Sequence, residues 1–212
     1  LSGSPLSILR CNRNTITSLR PLSMLRLTEL ECSGNTITDL RSLQGMPLQR
    51  LDISDNPVAS VVPLKYLPVH TLTCNNTGIT NLDFTAFMPL QILSCSHNAI
   101  VSLDPLANMP IRHLNCMNNG IRNLTPIHTM KLKYLNCQDN PIRSLAPLIN
   151  APPDTLYFFN SSLPVSHLKR VYDAWVENER TRKKADIVKL YLSLVKKQYK
   201  EVGSLSTPFG GH

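Results

Sequence analysis

Apolar residues return along this chain at a fixed interval of 21. Counted from Leu6, the first position of each period is Leu6, Leu27, Leu48, Val69, Leu90, Ile111 and Leu132. The fourth is always leucine, from Leu9 to Leu135, and the sixth is Cys11, Cys32, Ile53, Cys74, Cys95, Cys116 and Cys137. The eleventh is Ile or Val, from Ile16 to Ile142, and the fourteenth Leu or Val, from Leu19 to Leu145. One polar column runs with them, at the ninth position: Asn14, Asn35, Asn56, Thr77, Asn98, Asn119 and Asn140. A proline stands at the sixteenth position in five periods: Pro21, Pro63, Pro105, Pro126 and Pro147.

The spacing predicts a stacked repeat protein. The fourth and sixth residues share one side of a short strand. Strands of successive periods pair in parallel about 4.8 Å apart. The apolar columns fill one long core behind them, and each repeat touches only its neighbours. The ninth-position Asn turns the chain after the strand, and its amide satisfies backbone groups in the neighbouring turn. Stacked, these residues predict an asparagine ladder.

The pattern L-x-x-L-x-C-x-x-N-x-I-x-x-L-x-P-L closely resembles the leucine-rich-repeat family, with seven copies and no insertion between residue 6 and about 152. The Pro-Leu of the second half is similar to short variants whose outer side is a 3₁₀ turn. The cysteine at the sixth position is similar to repeat arrays of protists and of amoeba-infecting giant DNA viruses. The resemblance implies an α/β leucine-rich-repeat solenoid. Its concave side is a curved parallel sheet, and its convex side is 3₁₀ or irregular.

An open solenoid exposes its core at both ends and needs caps. Only residues 1–5 precede the first repeat. At the other end, residues 151–153 (Ala-Pro-Pro) break the pattern. Leu156 and Phe158 then return at the fourth and sixth positions of a degenerate eighth repeat. A helical pattern follows, with Ser162 and Pro164 as start signals and an apolar face of Leu168, Val171, Tyr172, Trp175 and Val176. A second helical pattern runs from about 180 to Gly203. The organisation expected is a solenoid over 1–163, a basic helical cap over 164–203 and a flexible tail over 204–212.

Charge changes the picture at one place. The chain carries +8, and residues 165–202 hold ten Lys/Arg against five acids. Basicity therefore belongs mainly to the C-terminal part, where Arg180, Arg182, Lys183 and Lys184 form a short cluster. Such clusters contact phosphates or serve as nuclear localisation signals. No apolar run of about 18 residues exists, which excludes a membrane-spanning helix. No basic-then-apolar leader opens the sequence.

All six cysteines fall in one column. That regularity suits small buried hydrophobes better than a disulfide framework or a zinc site with short spacings. Six free thiols point to a reducing, intracellular setting. No nucleophile elbow, phosphate-binding glycine loop or zinc-protease helix motif occurs, so an enzyme, a cofactor and a small-molecule substrate are not expected.

The resemblance places function on the concave face, at the third, fifth, seventh and eighth positions. The candidate protein-binding residues are Arg10, Glu29, Glu31, Arg50, Asp52, Thr73, Asn75, Ser94, Ser96, His97, His113, Asn115, Met117, Tyr134 and Asn136. The N-terminal end of this set is of mixed charge. The rest is Ser/Asn/Thr-rich, with His113, Met117 and Tyr134 as anchors. The expectation is a protein that binds another protein without a cofactor, in the cytoplasm or nucleus of a cell or, for a viral chain, in host cytoplasm or virion. The alternatives are nucleic-acid or anionic-surface binding through the basic helices, and the recognition part of a longer effector or adaptor.

Overall fold

The structure, a computed structural model, describes residues 6–159 and 163–177. The second helical pattern, the 180–184 basic cluster, Ser162, the 204–212 tail and residues 1–5 lie outside the described residues.

Eight three-residue strands form a single parallel sheet in chain order: β1 (Ile8–Arg10), β2 (Glu29–Glu31), β3 (Arg50–Asp52), β4 (Thr71–Thr73), β5 (Ile92–Ser94), β6 (His113–Asn115), β7 (Tyr134–Asn136) and β8 (Thr155–Tyr157). The register steps by one repeat each time, from Leu9 opposite Leu30 to Leu135 opposite Leu156. Each strand is the third to fifth residue of its repeat. Backbone pairing runs on past it, with Cys11 N–H donating to Glu31 O at 2.8 Å and Arg13 N–H to Ser33 O at 2.7 Å.

The convex side carries seven 3₁₀ turns, at Arg20–Leu22, Arg41–Leu43, Val62–Leu64, Asp83–Thr85, Asp104–Leu106, Thr125–Ile127 and Ala146–Leu148. In five of them the repeat proline sits in the first two turn positions. Its fixed φ suits the turn, and its missing N–H would have been unpaired there anyway.

The leucine, cysteine and isoleucine columns are buried through the middle of the stack, joined by a column that ends the 3₁₀ turns: Leu25, Met46, Leu67, Met88 and Met130. Each fully buried leucine contributes roughly 2 kcal/mol of transfer free energy. The six cysteines are free thiols, and all but Cys11 are buried. The sulfurs of Cys32, Cys74, Cys116 and Cys137 lie 3.3–3.5 Å from the fifth-position carbonyl of the next repeat, a line of weak S–H donors along the core.

The asparagine ladder is present. Asn56 Nδ2 donates to Cys32 O, Ile53 O and Ser54 O at 2.9, 3.0 and 3.0 Å, and its Oδ1 accepts from Ile37 N–H at 3.0 Å. Asn98, Asn119 and Asn140 repeat this arrangement, and each accepts from the eleventh-position N–H one repeat upstream.

The two ends differ. Leu6, Leu9, Cys11 and Ile16 are only partly buried, since among the described residues a repeat packs against them on one side alone. At the other end Leu156 and Phe158 are buried, and helix α1 (Val165–Glu177) sets Leu168, Val171 and Trp175 into the same core. Tyr172 and Val176 pack beside them, so the apolar face read from the sequence is the docked face. His167 fixes the helix to the last regular repeat, its Nε2 accepting the Leu145 N–H at 3.0 Å.

Candidate protein-binding face

The third and fifth residues of each repeat point away from the core, so the eight strands present two parallel rows of side chains on the concave side. The N-terminal quarter is an ion network. Arg10 Nη2 meets Glu29 Oε1 at 2.6 Å and Arg10 Nε meets Glu31 Oε2 at 3.5 Å. Arg50 Nε reaches Glu31 at 3.3 Å and Glu29 at 4.0 Å. The hydrogen bond to Glu29, then the charges of Glu29 and Glu31, raise the Arg10 guanidinium pKa above its ordinary value. Two arginines and two glutamates on adjacent strands thus answer one another.

From β4 onward the rows are uncharged. The third-position row reads Thr71, Ile92, His113, Tyr134 and Thr155, and the fifth-position row Thr73, Ser94, Asn115, Asn136 and Tyr157. The rings of Tyr134 and Tyr157 lie 5.7 Å apart at 52°, a tilted aromatic pair. Ile92 and Tyr157 are exposed, and Tyr134 and His113 partly so. Tyr157 and Thr155 fall on the degenerate eighth strand, beyond the seven repeats from which candidates are drawn. The register of Leu156 and Phe158 was the signal that could have found them.

The polar residues of this face are largely engaged with the backbone. In six successive repeats a side-chain oxygen accepts the seventh-position N–H. Asn12 takes Ser33 N–H at 2.8 Å, Asp52 takes Ser54 at 3.0 Å, and Ser54 takes Asn75 at 3.1 Å. Asn75 takes Ser96 at 2.9 Å, Asn115 takes Met117 at 3.3 Å, and Asn136 takes Gln138 at 3.2 Å. Asn75 Oδ1 also receives the Ser94 and Ser96 hydroxyls, each at 2.8 Å. Ser96 and Asn136 are buried, and so shape the surface from beneath. Met117 stands in line with Asn136, whose Nδ2 lies 3.8 Å from its sulfur.

The eighth position obeys a different constraint. Arg13, Gly34, Asp55, Asn76, His97, Asn118 and Asp139 all have φ between 51° and 64°. Five of the seven are Gly, Asn or Asp, the residues that tolerate the left-handed region best. His97 stands in this column, exposed, with Nδ1 2.8 Å from Asn118 Nδ2.

Among the described residues, no three His, Cys, Asp or Glu side chains gather closely enough to hold a metal ion. No helix among them is long and apolar enough to cross a membrane.

No family model matches the chain, and no curated protein matches it in sequence. Solved structures do match. Internalin C2 from Listeria monocytogenes is similar with a TM-score of 0.72 at 28% identity, over 78% of this chain and 76% of that one. A leucine-rich-repeat protein from Leptospira interrogans is similar in fold, with a TM-score of 0.64 at 21% identity, over 74% of this chain and 46% of that one. InlJ from Listeria monocytogenes, whose functional domain includes a cysteine ladder, is similar with a TM-score of 0.55 at 26% identity, over 74% of this chain and 40% of that one. This chain thus spans less than half the length of the last two. A cysteine ladder also occurs on a bacterial chain, so the column does not separate a protist or viral source from a bacterial one. The period, the in-register parallel sheet, the asparagine ladder and these likenesses together make the chain a leucine-rich-repeat solenoid.

Proposed function

We propose that the chain is a non-enzymatic protein-binding module whose concave face, from β4 to β8, holds a partner protein. The tilted Tyr134–Tyr157 pair on a sheet fixed at every repeat carries this reading. Exposed aromatics beside His113 and Ile92 are the residue types that anchor interfaces. The backbone under them is held by side-chain bonds at the seventh and ninth positions, so little ordering entropy is lost on association. The self-neutralised Arg10–Glu29–Glu31–Arg50 network contributes less, because its charges already have partners. The likeness to other leucine-rich-repeat proteins supports protein interaction in general terms. The free thiols suit a reducing compartment.

A pulldown from reducing lysate tests this, with a nuclease-treated arm and a Tyr134→Ala/Tyr157→Ala/His113→Ala comparison. The expected result is a nuclease-resistant partner that the triple variant loses. Recovery that vanishes with nuclease and survives the triple variant would move function to the basic residues 180–184 and sink the reading.

A further inference from the structure

The convex side carries a charged and aromatic patch of its own. Counted from Leu6, the fifteenth position of the first five repeats is Arg20, Arg41, Val62, Asp83 and Asp104. All five are exposed, Val62 by 70%. Val62 lines both of the grooves beside it, one with Asp39, Arg41 and Gln44, the other with Lys65 and Asp83. The column thus runs from two cations through an apolar centre to two acids.

The rest of the patch keeps that direction. Between the thirteenth and nineteenth positions these repeats hold three cations and three acids, Arg20, Arg41 and Lys65 against Asp39, Asp83 and Asp104. Arg41 binds Asp39 through Nε and Nη2, and its Nη1 makes no hydrogen bond among the described residues. Arg20, Lys65, Asp83 and Asp104 make no ion pair among the described residues. The patch is neutral, with cations toward the first repeat and acids toward the fifth.

The nineteenth position adds apolar surface. It reads Met24, Gly45, Tyr66, Phe87 and Asn108, with Met24, Tyr66 and Phe87 strongly exposed. The Tyr66 and Phe87 ring centroids lie 5.0 Å apart, and Lys65 Nζ stands 5.0 and 5.3 Å from them. Tyr66 has φ 71°, in a column where the other left-handed residues are Gly45 and Asn108. A bulky ring is strained there, and this one is exposed, so core packing does not hold it in place.

We propose that two copies of this chain pair antiparallel through this patch, about a two-fold axis that crosses the third repeat. That axis sets Arg41 against the second copy's Asp83 and Arg20 against its Asp104, twice each. Asp39 comes opposite Asn81, and Val62 meets its own copy on the axis. Phe87 comes opposite Gly45, where an added Cβ would find nothing within 4 Å, so the ring has room between Met24 and Tyr66. Lys65 approaches its own copy, the only opposed pair of like charge, with its Nζ held over its own rings. A parallel pair would instead oppose Arg41 to Arg41 and Asp83 to Asp83. A different protein would have to bring the reverse gradient, which this chain already carries. The four repeat spacings span about 19 Å, so the association is weak, and the concave face stays open.

Sedimentation velocity of the full chain in reducing buffer, from about 1 to about 300 µM, tests this. Arg20→Glu/Arg41→Glu and Asp83→Arg/Asp104→Arg each make the opposed charges alike, and their equimolar mixture makes them opposite again. Both variants stay positive, starting from +8, so mixing creates no general attraction. The expected result is a dimer of the parent chain, a loss of affinity of about tenfold or more in either charge variant alone, and recovery in the mixture. Tyr66→Gly/Phe87→Ala should also lose the dimer, yet keep its melting temperature in dilute solution, because glycine relieves the left-handed strain. A parent chain that stays monomeric throughout overturns the proposal. So does a dimer that survives either charge variant or Tyr66→Gly/Phe87→Ala, or a mixture that stays monomeric. A dimer lost in Tyr134→Ala/Tyr157→Ala/His113→Ala instead would place pairing on the concave face and overturn it as well.

Discussion

Thr77 stands in the asparagine ladder where its neighbours carry Asn, and the Val58 N–H one repeat upstream turns back to Asn56 O at 2.9 Å. The Ile142 N–H of the last regular repeat makes the same turn bond, to Asn140 O at 2.8 Å, whereas in the other five repeats the equivalent N–H is taken by a side-chain oxygen, as Ile37 N–H is by Asn56 at 3.0 Å. The Thr77 hydroxyl reaches Cys74 O at 2.9 Å but does not extend to the upstream repeat. A three-residue turn bond is a poor substitute for a linear one.

Thr77→Asn is therefore expected to stabilise the solenoid, by about 1 kcal/mol. Asn56→Ala should cost about 3 kcal/mol or more, because it strands one buried N–H and removes the donor shared by three carbonyls. Urea unfolding of the two variants beside the parent chain measures both. A destabilised Thr77→Asn would mean that the ladder is set by something other than these bonds.

How much of this was legible beforehand follows from the period. With no insertion in seven repeats, each column keeps one depth, so Leu135 and Cys137 are buried for the same reason as Leu30 and Cys32. The apolar face of α1 was equally plain, because Leu168, Val171 and Trp175 fall on one side of any helix. The concave face was legible only as a set of positions. A polar residue on an exposed strand reads the same whether it awaits a partner or caps a neighbouring N–H. Ser54 and Asn136 do the second, and only geometry separates them from Tyr134. The eighth column did carry a signal, in Gly34, Asp55, Asn76, Asn118 and Asp139, of a backbone requirement rather than a ligand's.

That requirement makes the eighth position sensitive to side-chain shape. Gly34 has φ +64°, and a Cβ there would come within 3.3 Å of Arg13 Cγ. Gly34→Val and His97→Val are expected to cost about 1–2 kcal/mol each, since a branched residue is strained in the left-handed region. His97→Gly should hold or raise the melting temperature. Equal losses for His97→Val and His97→Gly would show that the imidazole, and not the backbone, matters there.

The thiols should separate into one and five. Burial pushes Cys32, Cys74 and Cys116 up to about 12, and Cys95 and Cys137 well above the usual range. Only Cys11 is part exposed. Iodoacetamide at pH 8 is expected to label Cys11 first, with the other five reacting only on unfolding, as read by mass spectrometry. Stability follows the same groups. A folded pKa above the unfolded value of about 8.5 leaves stability intact below that pH. It is lost as pH rises further, because the unfolded chain ionises first. Cys95→Ala should flatten the alkaline limb; an unchanged limb, or rapid native labelling at several sites, would contradict the buried column.

The junction of helix and solenoid titrates in the opposite sense. His167 Nε2 accepts the Leu145 N–H at 3.0 Å, and a protonated imidazole has no lone pair with which to accept it. Desolvation, and then the charge of Arg170, hold its pKa below 6.5. Above pH 6.5 the ring is neutral in folded and unfolded chains alike, and its contribution is complete. As pH falls past 6.5 the unfolded chain takes up the proton first, and stability declines until the folded pKa is passed. Urea midpoints at pH 7.5 and pH 5.5 measure this, with His167→Gln as comparison because its amide oxygen can accept without titrating. The expected result is a lower midpoint at pH 5.5 for the parent chain and a smaller difference for His167→Gln. The same drop in both would assign the acid response to other groups, and α1 would then be held by Leu168, Val171 and Trp175 alone.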